Sequence, residues 1–554
     1  MYQLVNINNT THLYQFFTLF LNDNNHCSNH KIDIYNIQYC IIKPTDFSMP
    51  LRNAYYQLNT HPVIPVNPTG TDDDTFGVLT LDLNEVKITT RPVFILFTVD
   101  TTGSMGEYAT GSTTKLQYAT QTLKSIVKYL STQETDIYIQ INTFNTEVHE
   151  LIPHMKVTPQ TVEQMLALLR TIDADGTTNI EVALKSASAS INEYAEMNPT
   201  HSCVHIFMTD GEPNDGATTP TELINCITDD YLSINIGFGI DHNAKLLCEI
   251  SNLQNSDYHF IDNVEKSHIV YGESLHKVLY PCLQNVNIHI ENGYIYNWLT
   301  NEWTTSIHEN TLIGDMNKSY HIKTNTPDSM SATVTGYYDN EDNPDMLYLE
   351  EEVDRLPELL DDNGNIIHDN TIINYAFRHC VLEVLFVATH TDKHANTEVI
   401  DIIKNRIRDL FRIIRTYTEE NDLSTDKMIK QLMNDLYLAY WNIGNKEGEI
   451  YILGRHCSQG NQHAYTPGNQ LVHGNIENDF DIPPRPILRR STHFNSHRLW
   501  DSNSSSSNMV GLTEQLDPET SITYADMDTD NEHSCYSSPA IRNTTRSILT
   551  ADAD

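Results

Sequence analysis

Positive charge is scarce in this chain. Lys and Arg total 34 against 74 Asp and Glu, so the 554 residues carry a formal charge of -40. That deficit excludes a broad phosphate-neutralising surface, and neither nucleic acid nor anionic membrane is an expected partner. A disulfide framework is missing as well. The nine cysteines, Cys27, Cys40, Cys203, Cys226, Cys248, Cys282, Cys380, Cys457 and Cys535, are odd in number and irregularly spaced, with several on apolar faces. They read as reduced, buried thiols of a cytoplasmic protein. The N-terminus has no basic n-region and its apolar part is short and interrupted, so neither a signal peptide nor a membrane anchor is expected there. Residues 372–388 are apolar enough to tempt, but Arg378, His379 and Glu383 interrupt them, which favours a buried helix. What remains, 39% hydrophobic and 9% aromatic, suffices for the cores of several domains.

Against this background residues 92–104, PVFILFTVDTTGS, are the most informative stretch. A near-continuous apolar run that ends in a carboxylate and hydroxyls reads as a buried parallel strand with a polar site at its carboxyl end. It delivers Asp100, Thr102 and Ser104 onto one tight turn. Two later segments can complete the site: Asp175-Gly-Thr-Thr-Asn179, between two helical patterns, and HSCVHIFMTDG (201–211), a second apolar strand ending in Thr209-Asp210-Gly211. Oxygen ligands gathered in this way suit a hard divalent cation, because magnesium demands octahedral oxygen coordination and keeps room for water or a partner's ligand.

The three segments together resemble the von Willebrand factor A domain and its metal-ion-dependent adhesion site, whose pattern is D-x-S-x-S, a loop threonine and T-D-G. Thr102 stands where serine is usual, and its hydroxyl can still ligate. The resemblance covers roughly residues 90 to 284. It implies that Asp100, Thr102, Ser104, Thr178 (or its neighbour Thr177) and Asp210 hold Mg2+, or Mn2+ or Ca2+ in its place. It also implies that an exposed Glu or Asp of a protein partner completes the coordination, with Gly106–Thr114 and Glu212–Thr219 as specificity loops. Taken singly, the same residues have plainer readings: Asp100 and Asp210 as caps of the helices after their strands, Thr178 as the N-cap of 179–194.

Alternating β and α patterns across residues 91–284 predict a doubly wound, Rossmann-like α/β domain covered on both faces. Residues 1–75 are polar and Asn-rich and read as a partly ordered segment. Residues 76–90 alternate as a half-buried strand, and 285–350 carry short alternating runs at 286–290, 294–296, 320–323 and 332–335, so an antiparallel β-sandwich is expected with the α/β domain inserted in it. A helical bundle is expected over 366–457, with Ser424 or Thr425 as a helix N-cap, and a largely disordered tail over 458–554.

Other constellations are weaker. Cys27, His30 and Cys40 with His26 fit no common zinc spacing, Asp361–Asn365 lacks the ligand order of a calcium loop, and Pro483–Pro486 with its arginines reads as a flexible basic island. The sequence therefore points to a non-enzymatic, metal-dependent protein-interaction module. A metal-assisted hydrolase using Asp100, for which no histidine or lysine is placed beside the motif, and a metal-free structural subunit are the alternatives.

Overall fold

The computed structural model describes residues 49–468 and 533–551, apart from 62–63, 72, 111–112, 229–230, 254, 264–265, 341–342, 362–363, 365, 368–370 and 392–395. The Cys27, His30 and Cys40 set, most of the Asp361–Asn365 loop and the Pro483–Pro486 island lie outside the described residues.

The described chain enters through an antiparallel pair, β1 (Leu51–Leu58) and β2 (Thr75–Leu83). An α/β unit follows: β3 (Val93–Asp100), a small hairpin of β4 (Tyr108–Thr110) and β5 (Thr113–Thr114), α1 (Lys115–Leu130), β6 (Ile137–Phe144), β7 (Val148–Lys156), α2 (Val162–Leu169) and α3 (Ile180–Met197). It continues with β8 (Ser202–Thr209), α4 (Pro220–Ile224), β9 (Leu232–Phe238), α5 (Ala244–Ile250), β10 (Ser256–Ile261) and α6 (Ser267–Leu279). Its sheet has the order β10-β9-β8-β3-β6-β7, parallel except for β7.

All eight residues of β3 are buried, as a strand with helices on both faces requires. Successive side chains point to opposite faces: Ile95, Phe97 and Val99 pack in one cluster with Leu123 and Ile126 of α1 and Ile269 of α6, whereas Phe94 and Leu96 pack with Ala187, Ile191 and Tyr194 of α3. Each such buried side chain stabilises the fold by roughly 1.5–3 kcal/mol. From β3 the chain moves first to β6 on one side and later to β8 on the other, so a crevice opens at the carboxyl end of β3.

Behind α6 the strands are β11 (Pro281–Glu291), β12 (Tyr294–Asn297), β13 (Glu302–Thr304), β14 (Ser306–Ile313), β15 (Asn317–Thr324), β16 (Ser331–Asn340), β17 (Asn343–Glu352) and β18 (Asp354–Arg355). They build two sheets, β13-β12-β15-β2-β1-β18 and β14-β11-β16-β17. Leu79 and Leu81 share one core with Ile288, Ile322 and Val334. The α/β unit is thus inserted in the sandwich: β2 precedes it, β15 follows it, and the two pair along their length.

Four helices follow: α7 (Thr371–Thr389), α8 (Thr397–Glu420), α9 (Lys427–Asn442) and α10 (Lys446–Asn461). Phe377, Val381 and Leu385 pack with Ile407, Ile414, Leu432 and Leu436, and Phe76 and Val78 of β2 join the same cluster. Among the described residues α7 is the one helix long and apolar enough to cross a membrane, and 72% of its apolar window is buried inside the protein. Fully buried Arg455 donates to Asp435 at 2.5 Å and to the Pro467 carbonyl at 2.6 Å, which ties α10 to α9.

Several expected boundaries need correction. Residues 51–58 belong to the sandwich, not to the polar segment 1–75, because Ala54, Tyr56 and Leu58 turn alternate side chains inward. The strand expected over 76–90 ends at Leu83. The closing helix of the α/β unit ends at Leu279, and Pro281 opens β11 four residues ahead of the expected start of the sandwich at 285. The N-cap of α9 is Asp426, which accepts from the Ile429 N–H at 2.9 Å, in place of Ser424 or Thr425. The tail expected to be disordered from 458 is ordered at its two described ends: α10 runs to Asn461, and α11 (Pro539–Thr550) packs across α1 and α6. Ser538 caps α11, and Ile541, Thr544, Thr545 and Ile548 form its buried face.

Candidate functional site

Asp100 closes β3 and is fully buried. Its Oδ1 accepts from the Thr102 N–H at 2.8 Å and its Oδ2 from the Thr209 hydroxyl at 2.5 Å. The turn after it carries Thr102, 1% exposed, whose Oγ1 lies 3.0 Å from the Ser104 Oγ. Ser104 donates to Asp210 Oδ1 at 2.7 Å. Asp210, also fully buried, follows β8 directly, and because β8 lies beside β3 in parallel the two carboxylates end up at one edge.

The third segment arrives from the loop before α3. Gly176 takes a φ of 84°, a left-handed conformation open to glycine, and its carbonyl accepts from the Gly103 N–H at 3.3 Å. The Thr178 N–H donates to Asn214 Oδ1 at 2.8 Å, and the Asn214 and Asp215 N–H groups return to the Thr178 carbonyl. Thr178 is 3% exposed, and a Cβ added at Gly211 would lie 3.0 Å from its Oγ1. The hydroxyl thus packs against the backbone just after Asp210. Thr177, the other candidate, is exposed and pairs with the Thr146 hydroxyl at 2.9 Å. Of the two threonines the structure brings Thr178 to the crevice.

Lys115 was not foreseen. The first residue of α1, it is 7% exposed and donates to Asp210 Oδ2 at 2.7 Å, with Glu107 at 3.4 Å and Asp241 at 3.9 Å. Burial alone would lower its pKa, but Asp210, then Glu107 and Asp241, outweigh it and hold the ammonium above its usual range. A lysine in the first turn opposes the helix dipole, and here Asp210, Glu107 and Asp241 offset that cost. Asp100 is pushed up to about 6, first by burial and then by the charge of Asp210, against hydrogen bonds from Thr209 and Thr102 that act the other way. His242 is bonded to the Gly239 carbonyl and the Tyr258 hydroxyl, and burial lowers it to about 4.

The donor set is two buried carboxylates and three hydroxyls, all oxygen, as a hard cation prefers. Among the described residues no three His, Cys, Asp or Glu side chains gather as a metal cluster, so the candidate set depends on its hydroxyls.

Residues 95–270 match the family model of the von Willebrand factor type A domain. This part of the chain is a von Willebrand factor A domain. Two curated relatives match part of the chain. The mouse inter-alpha-trypsin inhibitor heavy chain 4 is 28% identical over 209 residues, 35% of this chain and 20% of the relative. The human inter-alpha-trypsin inhibitor heavy chain H1 is 24% identical over 174 residues, 29% and 18%. The chain spans about a fifth of the length of these relatives. Among solved structures, a von Willebrand factor type A protein from Catenulispora acidiphila matches at 13% identity with a TM-score of 0.46, covering 69% of this chain and 90% of that one. The von Willebrand A domain lies within the α/β unit and carries Asp100, Thr178 and Asp210 at the crevice of its sheet.

Proposed function

We propose that the chain is a non-enzymatic, metal-dependent protein-interaction module. Asp100, Thr102, Ser104, Thr178 and Asp210 would hold Mg2+, or Mn2+ or Ca2+ in its place. The cation would supply a Lewis-acidic position for an exposed Glu or Asp of a protein partner. The observation that carries the reading is the meeting of two fully buried carboxylates with three hydroxyls from separate segments in one crevice.

Each residue has a distinct part. Thr102 and Ser104 present neutral oxygens, so an ion there keeps net positive character for an outside acid. Thr209 and the Thr102 N–H hold the Asp100 carboxylate in one orientation, and Ser104 does so for Asp210. Burial strengthens the electrostatic contact with a partner carboxylate relative to water. Tyr108, 67% exposed, follows Glu107, which pairs with Lys115 beside Asp210, and the 212–219 loop is held in place by Asn214 and by the Ala217 N–H to Glu181 bond. These two features would contribute partner specificity.

Titration of Mn2+ into the full chain, followed by electron paramagnetic resonance, tests the reading. Saturable one-site binding is expected, weakened at least about a hundredfold in Asp100→Ala with the circular dichroism spectrum retained. Binding of equal affinity in the variant would reject the assignment.

One observation favours a second reading, a metal-free scaffold subunit: Asp210 already has a cation, Lys115, against it. That reading expects the same melting temperature in Mg2+ and in EDTA.

A further inference from the structure

Where the α/β unit, the sandwich and the helical bundle meet there is a cavity of about 510 Å3, away from the Asp100 crevice. Among its lining residues are Asp257 and Lys277 of the α/β unit, Glu309 and Lys318 of the sandwich, and Arg378 of α7. That volume falls in the range of small-molecule sites, about 300–1,000 Å3.

The charges on its wall do not balance. Lys277 is ion-paired with Asp257. Arg378, 3% exposed, donates to the Tyr536 hydroxyl at 3.0 Å, the Ser319 carbonyl at 3.5 Å, His321 Nε2 at 3.3 Å and the Gln459 carbonyl at 2.5 Å. Every one of these acceptors is neutral, since burial and Arg378 hold His321 well below its usual pKa. Lys318, 6% exposed, donates to the Asn461 carbonyl at 2.8 Å, and its carboxylate neighbour Glu309 stands off at 3.8 Å. Both cations reach the last carbonyls of α10, and the charge of Arg378 acts on Lys318. The helix terminus offers them only about half a negative charge.

Burying a charge without a full counter-charge costs several kcal/mol in real proteins. Desolvation accordingly holds Lys318 below the usual lysine range in spite of Glu309. Glu273, also on the wall, is pushed up to about 8 by its burial and is neutral at pH 7, so it adds no compensating charge. Of the five N–H donors of Arg378 the four bonds above use four, so the remaining N–H and the Lys318 ammonium are the donors that can meet the oxygens of a phosphate group. In a chain of net charge -40 a buried pair of cations with one loose carboxylate stands out.

We propose that this cavity binds a small phosphate-bearing molecule, with its phosphate between Lys318 and Arg378. The site is separate from the candidate metal centre and does not depend on it.

Inorganic phosphate serves as the probe. The full chain is melted in EDTA with about 10 mM phosphate and with sodium chloride of equal ionic strength, so that binding to the native state appears as added stability. The melting temperature is expected to rise by at least about 2 °C in phosphate over chloride, to keep that rise in Lys318→Arg, and to lose it in Lys318→Gln, which retains a donor for the Asn461 carbonyl. Equal melting in the two salts overturns the proposal, and so does a rise that persists in Lys318→Gln. Should Lys318→Gln fail to fold, calorimetric titration of the wild-type chain decides. Saturable one-site phosphate binding supports the site, and its absence up to about 10 mM overturns it.

Discussion

Lys115 is the residue on which the chemistry of the crevice turns. Its ammonium cancels much of the charge of Asp210, and Asp210 in turn presses on Asp100. Removing that positive charge leaves both carboxylates for an incoming cation and releases Glu107 and Asp241 as well. Lys115→Met is therefore expected to bind Mn2+ at least about tenfold more tightly than the wild type, and Lys115→Arg about equally, as read by the same paramagnetic titration. An unchanged affinity in Lys115→Met would show that the ammonium has no hold on the ion. The three motif segments could be read from the chain because each has a local signature, an apolar strand or a glycine-bearing loop next to its oxygen donors. Lys115 could not be placed, because its approach depends on the path of the Gly103–Thr114 turn and hairpin, which no residue pattern encodes.

At the scale of elements, α11 shows how a short helix can be decisive for its neighbours. It covers α6, twelve of whose thirteen residues are buried. The contact centres on Gly272, where an added Cβ would lie 2.1 Å from Thr545 Oγ1 and 2.9 Å from Thr545 Cα, and on the 3.0 Å bond between His276 Nδ1 and Thr544 Oγ1. Because the backbone of α11 is one of the obstructing groups, a side-chain rotation cannot relieve the clash. Gly272→Val is expected to displace α11, to cost about 1–3 kcal/mol in urea unfolding, and to make residues 533–551 the first site of limited proteolysis. A variant with wild-type stability and cleavage pattern would rule out close packing there. The long, strongly periodic helices and the buried strands of the α/β unit were legible. By contrast, α11 has only Ile541 and Ile548 as large apolar residues on its buried face, and β1 mixes Asn53 and Gln57 into its alternation, so neither rises above a polar surrounding. Their places are set by partners distant in sequence.

For the whole molecule, the seam between its parts contributes to the dependence of stability on pH. Glu273 accepts from the Ala464 N–H at 3.0 Å and lies near Asp257, Lys277 and Lys318. Its folded pKa of about 8 exceeds the ordinary value of 4.5, with burial as the main cause. The native state therefore holds a proton that the unfolded state releases. The resulting stability is fully present below pH 4.5 and is lost as pH rises to about 8, with a slope of about 1.4 kcal/mol per pH unit. Urea unfolding across that window should show Glu273→Gln without this component of the decline. A variant with the same slope as the wild type would place the titration elsewhere. No sequence pattern announced this acid, since its burial comes from the docking of residues after α10 upon α6.

The insertion of the α/β unit also determines how force travels. Tension applied to the α/β unit would leave it through two connections, one into β2 and one into β11, which belong to different sheets. Such a load would enter two hydrogen-bonded ladders whose facing side chains share one core, so it would not fall on a single hairpin.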